Sequence, residues 1–127
     1  MNKPDAAANI LIADRNPNVL EFLRREFLRE GYRVQLAKDG FDVCNLLRSH
    51  DAPDLVILDL DLPFLDDFVT SELVDRQTGG LPIILRSVGG EEPGHPLAER
   101  ARAFLDKGDP PDRLKRLVRE ALFPAIF

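Results

Sequence analysis

Three short apolar runs constrain the fold of this chain more than any other feature. They cover residues 10–13, 55–58 and 83–85 and consist mostly of isoleucine, leucine and valine. Each run is continuous rather than alternating, which is typical of strands that are buried on both faces. We therefore predict that these runs are parallel strands in the interior of a sheet.

The segments between the apolar runs carry helical patterns. The first begins after Asn16, which can cap a helix, continues through Pro17 and ends at Gly31. The remaining segments predict strand 32–37, helix 41–47, helix 68–76, strand 103–106 and a helix from about residue 110. Together with the three apolar strands, these elements alternate along the chain. Five strands alternate with these four helices and with a turn or two of helix within residues 97–102, about five helices in all, which predicts an α/β fold, a doubly wound five-stranded parallel sheet with right-handed crossovers.

Length and charge favour one domain of ordinary globular type. The 127 residues suit a single core, so we predict one domain over residues 1–127 with its core at about residues 9–123. A net charge of -5 disfavours direct binding of nucleic acid. Cys44 is the only cysteine, which fits a reducing cytoplasm. No apolar run approaches the roughly 18 residues of a membrane span, so we expect a cytoplasmic location without membrane insertion.

Polar side chains follow four of the predicted strands. Asp14, Asp59 and Ser87 stand at the ends of the three apolar strands, and Lys107 follows the fifth strand. In a doubly wound sheet these strand ends meet at one crevice, where ligands bind. Two carboxylates, a hydroxyl and an ammonium group suit phosphoryl transfer, with Asp59 as the nucleophile and Ser87 and Lys107 holding phosphoryl oxygens.

Five sequence fragments occur in the order of one known family. They are residues 10–14 (Ile-Leu-Ile-Ala-Asp), residues 53–59, Leu62-Pro63 with Asp66, residues 82–87 and residues 104–107 (Phe-Leu-Asp-Lys). Over about residues 10–122 the sequence resembles the response-regulator receiver family of two-component phosphorelay systems. The resemblance implies a flavodoxin-like sheet with strand order 2-1-3-4-5.

The resemblance also implies roles for individual residues. Asp59 would be the phosphoacceptor, Lys107 would contact the phosphate, Ser87 would turn toward the acyl phosphate, and Phe104 would follow as the second switch residue. The family binds Mg²⁺ beside the acceptor aspartate. A histidine kinase or other signalling protein would be the partner. The module would not be an enzyme beyond self-phosphorylation and dephosphorylation at Asp59.

One departure from the family affects the metal site. Where the family has two adjacent acidic residues, this chain has Asp14 followed by Arg15. Repulsion of a metal by a cation is substantial, because two unit charges 4 Å apart interact by about 4 kcal/mol at an effective dielectric of 20. We expect weak or absent Mg²⁺ binding. Arg15 could turn into solvent while Asp61 completes a metal set with Asp14 and Asp59, or Arg15 could neutralise Asp59 itself.

Two segments indicate unusual surfaces. Residues 88–96 hold three glycines and two prolines where the family builds its fourth helix, so we expect helix 4 to be shortened or absent. Recognition of partners is then expected to be atypical. The apolar segment 122–127 could pack on its own domain, on a partner or on a second copy in a homodimer.

Three functional hypotheses follow from these patterns. The first is a receiver that accepts a phosphoryl group on Asp59. The second is a phosphorylation-independent pseudo-receiver, in which Arg15 pairs with Asp59 and the fold serves as a protein-interaction module. The third is a hydrolase of the haloacid-dehalogenase kind, suggested by Asp59-x-Asp61 but disfavoured because that nucleophile normally follows the first strand.

Overall fold

A computed structural model describes residues 7–90 and 94–124. The elements within these ranges are β1 (Asn9–Ala13), α1 (Pro17–Arg29), β2 (Arg33–Ala37), α2 (Gly40–Leu47), β3 (Leu55–Asp59), α3 (Asp67–Thr78), β4 (Ile83–Ser87), β5 (Ala103–Asp106) and α4 (Pro111–Leu122). The strands form one parallel sheet in the order β2-β1-β3-β4-β5. The predicted fold class and strand order are confirmed.

The sheet is covered on both faces because successive side chains of a strand point to opposite sides. Leu11, Val56 and Leu85 belong to a core cluster that also includes residues of α2 and α3. Their neighbours Ile12 and Ile57 belong to a second cluster, with residues of α1 and α4. Interior strands buried on both faces explain why the three apolar runs show no alternation.

Side-chain caps begin three of the helices. Asn16 accepts a hydrogen bond from the backbone N–H of Asn18 and is followed by Pro17, as expected for the start of α1. Asp39 caps α2, and Asp66 caps α3 by accepting from the backbone N–H of Val69 at 2.9 Å. These caps fix the points at which the chain leaves the functional edge of the sheet.

The chain between β4 and β5 forms turns rather than a helix in its described residues, 88–90 and 94–102. Gly89 and Gly94 have φ angles of 90° and 87°, which favour glycine. Fully buried Leu97 and a 3.2 Å hydrogen bond from Gln77 Nε2 to the Leu97 carbonyl hold the segment against α3. The expected loss of helix 4 is confirmed, and the described chain has four helices rather than about five.

Phe64, in the loop that follows β3, adopts a left-handed backbone conformation with φ of 60°. This conformation costs a residue with a side chain roughly 1–2 kcal/mol. Phe64 is 60% exposed, and its ring centroid lies 4.9 Å from that of the equally exposed Phe41, with the two ring planes tilted by 38°. We expect Phe64→Gly to raise the free energy of unfolding in urea by up to about 1 kcal/mol, because backbone strain outweighs an exposed contact. A loss of stability would contradict this expectation.

The two termini are described in part. Leu122 ends α4, and Phe123 is exposed; residues 125–127 of the apolar terminal segment lie outside the described residues, so its docking stays a prediction. Among the described residues, every helix is too short or too polar to cross a membrane.

Candidate functional site

Four charged side chains meet on one face of the sheet because of strand alternation. Asp14 and Asp59 continue the side-chain rows of Ile12 and Ile57, and Arg86 and Lys107 continue the rows of Ile84 and Leu105. Parallel pairing sets Asp59 directly opposite Arg86 on the neighbouring strand. All four side chains therefore lie at the carboxyl end of the sheet, on the face covered by α1 and α4.

Asp59 ends the central strand and is 1% exposed. Its Oδ1 accepts a hydrogen bond from the backbone N–H of Asp61 at 2.9 Å, and its Oδ2 accepts one from Lys107 Nζ at 2.9 Å. A buried carboxylate with two donors is held in one orientation. Asp59 is thus positioned as a group that faces the crevice with one cation beside it.

Asp14 is completely buried next to Asp59. Its Oδ1 accepts a hydrogen bond from the backbone N–H of Asn16 at 2.8 Å. Its Oδ2 receives no aligned hydrogen bond from a described residue, but lies 2.9 Å from Lys107 Nζ and 3.6 Å from Arg86 Nη1. The charge of Asp14 is therefore compensated by two neighbouring cations.

Lys107 bridges both carboxylates from the loop after β5. The loop is fixed by Asp106, whose carboxylate accepts from the backbone N–H groups of Gly89 and Gly108. Partial burial acts to lower the pKa of Lys107, but its contacts with Asp59 and Asp14 outweigh burial and raise it. Lys107 is therefore a stable cation in the crevice at neutral pH.

Arg86 is the residue that the sequence reasoning missed. Its side chain is 10% exposed and extends from β4 toward Asp14, within a strand whose other members are Ile83, Ile84, Leu85 and Ser87. Burial lowers the pKa of Arg86, while the carboxylates of Asp14 and Asp59 oppose this effect. The sequence did contain a signal for this role. Arg86 is a charged residue in an otherwise mostly apolar strand, and it lies two positions after Ile84 and so on the same face of the sheet.

Two of the residues predicted to affect the metal site have exposed side chains. Arg15 is exposed and makes no ion pair with a described residue, so it does not neutralise Asp59. Asp61 is also exposed, and it contributes its backbone N–H to Asp59. Of the two alternatives given for Arg15, the structure shows the side chain in solvent, and the cations beside the two carboxylates are Arg86 and Lys107.

Ser87 and Phe104 lie on the other face of the sheet. Ser87 is buried, and its Oγ donates a hydrogen bond to the carbonyl of Gly90. Phe104 is partly buried and packs against the core cluster of the α2 and α3 side. Neither side chain forms a hydrogen bond or ion pair with Asp14 or Asp59 among the described contacts, and their switch roles stay predictions.

The residues present do not fit the divalent metal site expected from the resemblance. Within the described residues, no three Asp, Glu, His or Cys side chains are grouped so that they could hold a metal. Asp61 thus does not complete a three-carboxylate cluster with Asp14 and Asp59 among these residues, and the metal-ligand roles of the three stay predictions. Lys107 contacts both buried carboxylates, and Arg86 lies 3.6 Å from one of them, which is unfavourable for an added dication.

The sequence matches a known protein family over most of its length. Residues 10–119 match the family model described as the response regulator receiver domain. The chain belongs to this family. Receiver domains are the signalling modules of two-component response regulators and are not classical enzymes.

Curated relatives of this receiver domain include complete response regulators. Response regulator GtcR of Aneurinibacillus migulanus is 41% identical over 80 residues, which cover 61% of this chain and 31% of the relative. The C4-dicarboxylate transport transcriptional regulatory protein DctD of Pseudomonas aeruginosa is 30% identical over 120 residues, 93% of this chain and 26% of that protein. The receiver domain thus spans about a third of the length of the curated relatives it matches.

Solved structures share the fold. The non-phosphorylated HemR receiver domain of Leptospira biflexa superposes with a TM-score of 0.78 at 23% identity, covering 94% of this chain and 98% of that one. Response regulator TrrA of Thermotoga maritima, solved in complex with Mg²⁺ and BeF, gives a TM-score of 0.74 at 28% identity, covering 91% of this chain and 99% of that one. The Mg²⁺ of the second structure is a property of TrrA.

Proposed function

We propose that this receiver domain accepts a phosphoryl group on Asp59 from a histidine kinase. The observation that carries the proposal is the position of Asp59, buried at the end of the central strand with Oδ2 2.9 Å from Lys107 Nζ. Phosphoryl transfer requires an oriented nucleophile and positive charge beside the equatorial oxygens. Asp59 supplies the nucleophile, and Lys107 with Arg86 supplies the charge.

The transfer balances in the following way. A carboxylate oxygen of Asp59 forms a bond to phosphorus, and the phosphorus–nitrogen bond of the partner's phosphohistidine breaks. The imidazole nitrogen keeps the electron pair and is protonated from solvent. Self-dephosphorylation is the corresponding attack by water, which releases inorganic phosphate and restores the Asp59 carboxylate. These two reactions at Asp59 are the whole chemistry of the proposed module.

The proposed role of Ser87 requires a change of its hydrogen-bond partner. Its hydroxyl is engaged with the carbonyl of Gly90, so contact with a phosphoryl oxygen requires that it leave this partner. Phe104, next to the segment that lacks a helix, would respond on the same side of the sheet. Phosphorylation is therefore proposed to be read on the surface formed by residues 88–90 and 94–106, whose shape differs from a helix-bearing surface.

A second candidate is a pseudo-receiver that acts without phosphorylation as a protein-interaction module. The observation behind it is that Asp14, Asp59, Arg86 and Lys107 already balance one another as two carboxylates and two cations. The comparisons do not favour this candidate over the first. Transcriptional regulation, which the name of the Pseudomonas aeruginosa relative indicates, is a function of that whole protein, and direct nucleic-acid contact by this chain is not proposed.

The test is the intact mass of the domain after incubation with acetyl phosphate and Mg²⁺. We expect one phosphoryl group on the wild type and none on Asp59→Ala. Asp67→Ala is the matched control, because it removes an exposed carboxylate from the first turn of α3 and should leave the adduct intact. A folded wild-type protein without an adduct would reject the first candidate and leave the pseudo-receiver.

A further inference from the structure

The charge balance of the crevice is complete within the chain itself. Asp14 and Asp59 contribute two negative charges, and Arg86 and Lys107 contribute two positive charges. Two buried carboxylates normally need added positive charge, which a metal ion supplies when protein cations are too few. In this crevice the side chain of Arg86, on β4, supplies that positive charge.

The position of Arg86 shows why its charge is directed at this pair. The register pairs Arg86 with Asp59 across β4 and β3, and the backbone N–H of Leu60 donates to the Arg86 carbonyl at 2.9 Å. Because β4 is paired with β3 on one side and with β5 on the other, the backbone of Arg86 is fixed and its side chain starts from the face that carries the two carboxylates. The side chain is 10% exposed, and its Nη1 lies 3.6 Å from Asp14 Oδ2.

Arg15 is in the opposite situation. It follows the strand, is exposed and forms no ion pair with a described residue. An exposed charge is screened by water and can reorient, whereas a buried charge keeps most of its field. Of the two arginines near the crevice, Arg86 is therefore the one that acts on the carboxylates.

We propose that the guanidinium of Arg86 takes the place of the divalent cation in this receiver domain. It compensates Asp14 permanently, so the crevice has no deficit of positive charge for Mg²⁺ to fill. The inference concerns the site of the proposed function, but it does not depend on phosphorylation. It also differs from the expectation drawn from the sequence, in which Arg15 alone excludes the metal.

The test is a Mg²⁺ titration of four proteins: wild type, Arg15→Asp, Arg86→Met and the double variant. Amide chemical shifts and the thermal unfolding midpoint are followed, with no phosphoryl donor present. A bound ion stabilises the folded state by an amount that grows with the logarithm of the ratio of ion concentration to Kd, so the midpoint is a second measure of binding beside the chemical shifts. Circular dichroism shows whether each variant is folded, and Arg86→Leu replaces Arg86→Met if that variant does not fold.

We expect no saturable Mg²⁺ binding by the wild type at millimolar concentration and little by Arg15→Asp. The double variant should bind at least tenfold more tightly than Arg15→Asp. Equal affinities of Arg15→Asp and the double variant would overturn the inference, because Arg15 would then be the obstacle. Saturable binding by the wild type, or none by a folded double variant, would also overturn it. Since no donor is used, a failure of phosphorylation at Asp59 leaves this result interpretable.

Discussion

Asp14→Asn is expected to lower the free energy of unfolding by about 3 kcal/mol, although it replaces only one oxygen by nitrogen. The amide still offers Oδ1 to the backbone N–H of Asn16, so the turn after β1 keeps its hydrogen bond. The change leaves Arg86 and Lys107 with Asp59 as their one remaining carboxylate in the crevice. An uncompensated buried cation accounts for the loss.

The double variant Asp14→Asn/Arg86→Met separates charge balance from packing. It leaves Lys107 with Asp59, so its loss should be smaller than the sum of the two single losses by at least about 1 kcal/mol. Asp51→Asn is the matched control, because Asp51 forms an exposed ion pair with Arg33 and its loss should cost under about 1 kcal/mol. Urea unfolding gives all four values, and strictly additive losses would contradict the coupling.

Gly40→Ala is expected to lower the free energy of unfolding by about 3 kcal/mol, at the upper end of the usual range for overpacking. A Cβ at Gly40 would overlap the carbonyl oxygen of Phe64 and lie 2.7 Å from its carbonyl carbon. The backbone N–H of Gly40 also donates to the Pro63 carbonyl at 2.8 Å. Backbone cannot yield as a flexible side chain can, so α2 and the loop after β3 must separate.

Gly79→Ala provides the comparison for Gly40→Ala. A Cβ at Gly79 would meet its nearest atoms at 3.5 Å, which is ordinary contact, and its φ is -79°. We expect a change within about 1 kcal/mol, since the backbone angle suits alanine. Thermal or urea unfolding measures both variants. Similar values for the two would mean that the loop after β3 moves freely away from α2.

The sheet was predictable because its information is local. Residues 10–13, 55–58 and 83–85 are apolar at every position, which is typical of strands covered on both faces. The meeting of Asp14, Asp59 and Lys107 then follows from parallel strands ending at one edge. Element ends were less certain: α2 begins at Gly40 rather than at residue 41, because Asp39 caps it.

The details of the crevice were not predictable in the same way. Ser87 was chosen because it follows the apolar run of β4, and Arg86 was not considered. Side chains alternate along a strand, however, so Arg86 lies on the same face as Ile84, and this is the face that carries the carboxylates. The position of the Arg15 side chain depends on the turn between β1 and α1, and this turn leaves the side chain exposed. Asp61 was counted as a carboxylate ligand, but the turn after β3 presents its N–H.

The central claim is that Arg86 is held against Asp14 inside the crevice. Its most direct test is a nuclear magnetic resonance spectrum of the arginine guanidinium groups, in which the Arg86 signal is assigned by its absence from Arg86→Met. We predict a signal that is protected from solvent exchange and that shifts in Asp14→Asn, because the guanidinium lies 3.6 Å from Asp14 Oδ2. A signal that exchanges as fast as that of exposed Arg15, and that Asp14→Asn leaves unchanged, would contradict the claim.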